Sequence, residues 1–116
     1  MYKFGTIVLI PFPFTDLTSV KLRPALIISA KNHSKDVIVS FITSVMREKP
    51  KSSDFIYKTK NKYFEKSGLK VNSVFRFDKI ATLNKKLILG EIGTLHPSIL
   101  VKMKKSFSNA FGFFHK

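Results

Sequence analysis

Two arginines and one carboxylate in this sequence have types and spacing that could perform chemistry. Arg23 stands directly before Pro24, and the residue before a proline is held in extended geometry, so its guanidinium should project predictably at a strand entrance. Arg76 and Asp78 are two residues apart in the alternating segment SVFRFDKI, so they share one strand face at about 6–7 Å. Because a planar guanidinium contacts an oxyanion through two parallel hydrogen bonds, Arg23 predicts an anion site. For Arg76 and Asp78, a same-face ion pair that holds strands in register is the alternative.

The sequence provides no disulfide and no donor set for a metal ion. It has no cysteine, and none of its three histidines is spaced with a carboxylate as a ligand pair. We therefore expect no metal site and no cofactor. The longest apolar run, Ile7 to Phe14, contains two prolines and is too short to span a bilayer. It also lacks the charged start and cleavage site of a signal peptide, so a cytoplasmic protein is expected.

A large positive charge is the main compositional signal. Twenty-one lysines and arginines stand against seven acidic residues, a net charge of +14 at pH 7, which is more than solubility requires. Such an excess favours a nucleic acid, an anionic membrane or an acidic protein as partner. A lysine-rich proteome explains part of the excess, and the membrane ranks last because no long amphipathic helix occurs early in the chain. With 44% hydrophobic residues, the chain should fold as one domain over residues 1–116.

Hydrophobic patterning predicts short strands, followed by one helix, as the elements that position these side chains. The apolar and β-branched runs are bounded by turn residues. A polar segment, Thr59 to Ser67, predicts a single helical turn closed by Gly68, and Gly93 is expected to break the last strand. The predicted strands are Gly5 to Phe12, Ala25 to Ala30, Asp36 to Ser44, Asp54 to Tyr57, Ser73 to Ile80 and Leu87 to Ile92.

The C-terminal segment predicts the helix. Pro97 suits the first helical position, with Thr94 or His96 near the cap. Apolar residues then recur at helical spacing and form one stripe that should face the core. The stripe consists of Leu100, Met103, Phe107, Ala110, Phe111 and Phe114.

Taken in order, these segments resemble the MazF/PemK (Kid) toxins of type II toxin–antitoxin systems. The resemblance is carried by GTIVLIPFPFTDLTSVKLRPALIIS, DVIVSFITS and SVFRFDKIATLNKKLILGEIGTLHP, and it spans nearly the whole chain. It implies a mainly-β (α+β) fold, an SH3-like twisted antiparallel barrel of roughly five to seven strands with a C-terminal helix. It also implies a homodimer, a cognate acidic antitoxin, DNA binding together with that antitoxin, and ribosome-independent cleavage of single-stranded RNA such as mRNA.

The resemblance assigns a reaction to the predicted anion site. Similar toxins cleave RNA without a metal: the 2′-hydroxyl attacks the phosphorus and leaves a 2′,3′-cyclic phosphate and a 5′-hydroxyl end. Arg23 matches their catalytic Arg-Pro arginine, and we expect it to stabilise charge because arginine essentially never deprotonates. A structural arginine paired with a carboxylate such as Asp16 or Asp78 is the alternative. Thr43 matches a threonine at the scissile phosphate, with a solvent-facing strand residue as the alternative. Arg76 and Asp78 match an Arg-x-Asp pair that acts as base and acid or as stabiliser, and the ion pair stays the alternative.

The loop after the first strand departs from the pattern of these toxins. The Kid branch carries a histidine there, whereas TDLTSVKL has none, so Asp16, Ser19 or Lys21 must supply any loop group. Since similar toxins read RNA sequence with this loop, the cut site stays open. Lys49 and Lys51 are expected to contact phosphates, with solvated loops as the alternative.

Two other functions are compatible with the same fold. A gyrase poison of the CcdB type acts by binding and depends on a tryptophan near the C-terminus, but this sequence has no tryptophan and ends FGFFHK. A non-catalytic RNA- or antitoxin-binding module would follow if the missing loop histidine abolishes catalysis. The sequence-specific endoribonuclease remains the leading prediction.

Overall fold

The computed structural model describes residues 2–11 and 21–112, which form one antiparallel sheet and one helix. The strands pair in the order β4-β5-β3-β2-β1-β6 and form a half-barrel, so the expected mainly-β architecture with a C-terminal helix is confirmed. The helix, α1, spans Pro97–Asn109, and single 3₁₀ turns occupy Phe64–Ser67 and Lys85–Leu87. The strands are β1 (Thr6–Pro11), β2 (Leu22–Ser29), β3 (Asp36–Thr43), β4 (Asp54–Tyr57), β5 (Ser73–Asn84) and β6 (Gly90–Thr94).

Both faces of the sheet are apolar, because side chains alternate along each strand and both sets are hydrophobic. The first face packs against α1 through Ile99 and Met103, each 1% exposed, and includes the aromatic residues Tyr57, Phe75 and Phe77. The second face carries a smaller buried cluster, and the candidate functional residues extend from its end. That cluster consists of Val8, Ile10, Ala25, Ile27, Val37 and Val39.

A β-bulge in β5 sets the direction of the side chains near the candidate site. Ser40 pairs with Ile80, but the next residue, Phe41, pairs with Arg76, so residues 77–79 have no partner on β3. The buried Ser40 hydroxyl donates a hydrogen bond to the Arg76 carbonyl at 3.0 Å, which fixes the bulge. Bulges bend a strand and redirect its side chains, and this one separates Arg76 from Lys79 on the sheet surface.

Several element boundaries differ from those predicted. Strand β2 begins at Leu22, so Arg23 and Pro24 lie inside the strand and not at its entrance. Strand β5 continues to Asn84, four residues beyond the predicted end. Residues 87–89 precede β6, and Gly93 lies within it. A Cβ at position 93 would stand 2.3 Å from the Ser67 carbonyl carbon, so a larger residue would not fit there. Glycine at position 93 therefore permits close packing and does not break the strand.

The helix begins as predicted and ends earlier. Pro97 is its first residue, and the His96 ring nitrogen Nδ1 accepts a hydrogen bond from the Ser98 amide at 3.1 Å. Ile99, missed in the predicted stripe, is buried, whereas Leu100 is only partly buried. Ala110 and Phe111 follow the end of the helix at Asn109, and Phe114 lies outside the described residues. No helix in the described part of the chain is long and apolar enough to cross a membrane.

Candidate functional site

Three of the four predicted catalytic residues meet on the second face of the sheet. Phe41 pairs with Ala25 on one side and with Arg76 on the other, so these residues lie in one row across three strands. Arg23 and Thr43 each lie two residues beyond the Ala25–Phe41 pair, on the same faces of their strands as Ala25 and Phe41. Arg23, Thr43 and Arg76, which are far apart in sequence, therefore line one groove.

The position of Arg23 follows from the strand that carries it. Arg23 pairs with Ile10 and Pro24 pairs with Leu9, so β1 holds this end of β2. The recorded pairing with β3 starts at Ala25, one residue after the proline. Since proline has no amide hydrogen to donate, its place at the end of that ladder is tolerated. Arg23 is consequently fixed by β1 at the point where the β2–β3 ladder ends.

An apolar groove of about 630 Å³ opens between these residues. We call it the apolar groove, and its cationic lining residues are Arg23, Arg76 and Lys79. Thr43 also faces it, and the remaining wall is Phe41, Ile42, Val45, Ile80, Ala81 and Leu83. Cations set in an apolar wall interact more strongly with an anion than they would in water, because the local dielectric is lower.

A second groove of about 610 Å³ shares Arg23, Ile42 and Thr43 with the first. We call it the lysine groove, because the exposed residues Lys21 and Lys70 line it. Ser44, the neighbour of Thr43, lines only this second groove, in keeping with the alternation of side chains along a strand. Arg23 and Thr43 thus form the boundary between two surface grooves.

The Thr43 hydroxyl is oriented by its own backbone. Its oxygen accepts a hydrogen bond from the Val45 amide at 3.1 Å. A hydroxyl that accepts in this way keeps its proton for donation to another acceptor. Thr43 is half-buried between the two grooves, so it is suited to donate to the oxygen of an anion bound beside Arg23.

Asp78, the fourth predicted catalytic residue, belongs to an ion-pair network. The Arg47 Nη2 donates to both of its carboxylate oxygens, at 3.2 and 3.3 Å, and the Lys51 Nζ donates at 3.2 Å. Burial alone would raise the pKa of Asp78, but the Lys51 hydrogen bond and the charges of Arg47, Lys51 and Arg76 lower it below the ordinary value. A carboxylate held ionised by several cations is a weak proton acceptor. The geometry favours the ion-pair alternative for Asp78 over proton transfer.

Arg76 is the cation of this network that lies farthest from the Asp78 carboxylate. Its Nε stands 4.0 Å from the Asp78 carboxylate, beyond hydrogen-bond range, and that nitrogen makes no hydrogen bond within residues 2–11 and 21–112. Arg47 and Lys51 hold the carboxylate more closely. Arg76 can therefore offer its guanidinium to the apolar groove, which it lines.

Arg47 is the network residue that the sequence did not reveal. Besides Asp78, it contacts the Asp54 carboxylate at 3.1 Å from its Nε, and the Asp54 side chain is only 1% exposed. The Lys51 amide donates to the same carboxylate at 3.0 Å. The loop after β3 is thereby attached to both β4 and β5. No motif marks Arg47, because its partners lie seven and 31 positions further along the chain.

The predicted RNA contacts are only partly at the grooves. Lys21 lines the lysine groove, while Asp16 and Ser19 lie outside the described residues. Lys49 is exposed, and Lys51 is paired with Asp78; neither lines the apolar or the lysine groove. Instead, two lysines missed from the sequence line the grooves, Lys70 and Lys79. In the described part of the chain no group of three or more His, Cys, Asp or Glu side chains could hold a metal ion.

Comparison with known proteins relates the chain to one protein family. Residues 3–111 match the family described as "PemK-like, MazF-like toxin of type II toxin-antitoxin system". A solved endoribonuclease in complex with its cognate antitoxin, from a mycobacterial species, is similar at a TM-score of 0.75, with 19% identity over 97% of each chain. The Mycobacterium tuberculosis toxin MazF-mt6 is similar at 0.71, with 23% identity over 91% of this chain and 95% of that one. These likenesses establish the fold, and no curated protein matches the chain.

Proposed function

This chain belongs to the PemK-like, MazF-like toxins of type II toxin–antitoxin systems, and from that premise we propose that it is a sequence-specific, metal-independent endoribonuclease. Its substrate is single-stranded RNA, including mRNA. The observation that carries the proposal is the meeting of Arg23, Thr43 and Arg76 at the apolar groove. Two guanidinium groups and a hydroxyl donor at one groove are suited to a phosphate that gains negative charge.

In the proposed reaction the 2′-hydroxyl releases its proton to water as its oxygen bonds to the adjacent phosphorus. The bond from phosphorus to the 5′-oxygen of the next nucleotide breaks, and that oxygen takes up a proton from water. The products are a 2′,3′-cyclic phosphate and a 5′-hydroxyl end. Negative charge accumulates on the non-bridging oxygens, where Arg23 and Arg76 stabilise it. The Thr43 hydroxyl donates a hydrogen bond to one of these oxygens while its own oxygen accepts one from the Val45 amide. We assign Asp78 to holding this side of the site in place through Arg47.

The proposed partners follow from charge and family. A net charge of +14 suits both RNA and an acidic antitoxin. One structural neighbour is an endoribonuclease in complex with its cognate antitoxin, and we propose a cognate antitoxin for this chain as well. We further propose that the toxin is a homodimer, that it acts in the cytoplasm, and that its complex with the antitoxin binds DNA. Sedimentation that shows monomer alone at micromolar concentration would contradict the dimer.

RNA cleavage in the presence of EDTA tests the proposal. The purified protein should cut a long single-stranded RNA into discrete fragments whose 5′ ends accept phosphate directly from a polynucleotide kinase. Arg23→Ala should cut at least about 100-fold more slowly, because it removes a preorganised charge from the site. Arg23→Lys should also be impaired, since an ammonium cannot reproduce the bidentate fork. Lys104→Ala, on the exposed side of α1, is the matched control and should cut like the wild type.

Two results would replace the proposal by its alternatives. Inhibition of DNA supercoiling by gyrase without any RNA cleavage would indicate a gyrase poison. RNA binding without cleavage, together with equal behaviour of wild type and Arg23→Ala, would indicate a non-catalytic module. Cleavage that is lost in EDTA would refute the metal-independent mechanism.

A further inference from the structure

An endoribonuclease must accommodate RNA on both sides of the phosphate that it cuts. Arg23 and Thr43, the proposed contacts of that phosphate, line two grooves, which share only Ile42 besides these two residues among their described lining residues. The apolar groove is also lined by Arg76 and Lys79, and the lysine groove by Lys21 and Lys70. The nucleotides on the two sides of the scissile phosphate therefore have two different grooves in which to bind.

The lysine groove does not end at Lys70. A further depression of about 540 Å³ shares Gly68, Leu69 and Lys70 with it. The lining of this side depression also includes Lys62 and Glu65. The lysine groove and the side depression therefore meet at these three residues, and together we call them the path from Arg23 to Lys62.

The wall of this path is held by several close contacts. A Cβ at Gly68, whose φ is +75°, would stand 2.1 Å from the Ile92 carbonyl oxygen, so the 3₁₀ turn lies directly against β6. The Asn72 side chain accepts a hydrogen bond from the Thr59 amide at 2.8 Å. The Tyr63 ring stacks on His96 at 3.6 Å between centroids and 9° between planes. A wall fixed before binding loses little conformational entropy when a ligand orders on it.

Charge along the path favours a chain of phosphates. Among the described lining residues of the lysine groove and the side depression, the cations are Lys21, Arg23, Lys62 and Lys70, and Glu65 is the single carboxylate. Lys21, Lys62 and Lys70 are exposed and can contact phosphates in solution. An acidic protein segment would meet the same charges, but the path begins at Arg23 and Thr43, where the substrate must lie. This juxtaposition favours RNA as the occupant.

We propose that the lysine groove and the side depression form a channel for the nucleotides on one side of the scissile phosphate, with Lys70 as a phosphate contact within it. The inference rests on the proposed function and adds a distal substrate subsite to it. Lys70 acts on affinity and not on the chemical step, because it does not line the apolar groove, at which Arg23, Thr43 and Arg76 meet. Glu65 opposes the phosphate chain at the far end of the channel.

Binding of uncleavable oligonucleotides tests the channel. The cut site is first mapped on a long RNA, and a short RNA centred on it is made with a 2′-deoxy nucleotide at the nucleophilic position. Two further probes extend it by several nucleotides, one toward the 5′ end and one toward the 3′ end. Wild-type protein should gain affinity from one extension through the channel, and Lys70→Ala should lose about fivefold of that gain at 0.1 M salt. The slope of log affinity against log salt should fall by about 0.7, the value for one phosphate contact on a single strand.

Two further variants make the outcome decisive. Glu65→Gln should tighten the same extended probe, which a damaged fold would not do, and Lys104→Ala on α1 should change neither probe. The channel is refuted if wild-type protein cuts RNA but Lys70→Ala binds both extended probes like Lys104→Ala. It is equally refuted if Lys70→Ala weakens only an acidic peptide such as poly-glutamate. Failure of wild-type protein to cut RNA at all would instead refute the proposed function.

Discussion

Replacing Arg47 by alanine should destabilise the fold, because it leaves the Asp54 and Asp78 carboxylates without their shared cation. The Asp54 side chain is 1% exposed, and its Oδ1 makes no hydrogen bond within the described residues. Removing one partner of a fully buried pair costs about 3–5 kcal/mol, and an exposed pair contributes about 0–1 kcal/mol. Arg47, whose side chain is 19% exposed, lies between these cases, so we expect a loss of about 2–3 kcal/mol in the free energy of unfolding.

Urea unfolding measures this loss. With a slope of about 1–3 kcal/mol per molar urea for a small protein, the midpoint should fall by about 0.7–3 M. Lys51→Ala is the matched control, because it removes a second cation from Asp78 but its side chain is 58% exposed. Its effect should stay below about 1 kcal/mol. Equal midpoints for Arg47→Ala and wild type, or an equal fall in Lys51→Ala, would refute the anchoring role of Arg47.

Acid titration of the same variant tests the electrostatic origin of the effect. The pKa of Asp78 is lowered in the folded chain from an ordinary value of 3.8, so its contribution to stability is present above that value and is lost as the pH falls through the lower folded pKa. Arg47→Ala removes one cation that lowers this pKa. The stability difference between wild type and variant should therefore shrink below about pH 4, and Asp78→Asn should weaken this pH dependence. A difference that stays constant from neutral to acidic pH would indicate lost packing alone.

Two other substitutions separate chemistry from folding. Thr43→Val should slow RNA cleavage about 10- to 100-fold with little loss of stability, since it removes one proposed donor to the phosphate. Thr82→Val, on the exposed surface of β5, is the control and should leave the cleavage rate unchanged. Gly93→Ala should lower the thermal midpoint or prevent folding, because its Cβ would lie 2.3 Å from the Ser67 carbonyl carbon; Gly90→Ala, with no atom within 4 Å, should unfold within a few degrees of wild type.

The strand face of a catalytic candidate such as Arg76 could be predicted from sequence, because it depends on the alternation of side chains. SVFRFDKI correctly separates Phe75 and Phe77, which are buried, from Arg76 on the opposite face. The Arg-Pro step and the end of DVIVSFITS then follow from the family resemblance. Alternation has a period of two and holds along any regular strand, so it survives without knowledge of the partner strands.

What the sequence did not reveal depends on contacts between distant segments. The β5 bulge follows from how β3 and β5 align, and no residue in 76–80 marks it. Gly93 is a residue type that often ends a strand, yet it lies within β6. Glycine is needed there because the 3₁₀ turn at Ser67 packs closely against it. Lys70 reads as one of many lysines, and only the fold brings it to a groove that starts at Arg23. Lysines are solvated wherever they occur, so a charge-rich sequence cannot indicate which of them face a ligand.

Charge balance explains why Arg76, and not Arg47, is available to the proposed substrate. The network contains three cations, Arg47, Lys51 and Arg76, and two carboxylates, Asp54 and Asp78, so one positive charge remains uncompensated. Arg47 contacts both carboxylates at 3.1–3.3 Å, whereas Arg76 reaches Asp78 only at 4.0 Å. The surplus therefore lies on the arginine that lines the apolar groove. In this chain two of the seven acidic residues anchor a loop cation, and the same arrangement directs an arginine toward the proposed phosphate.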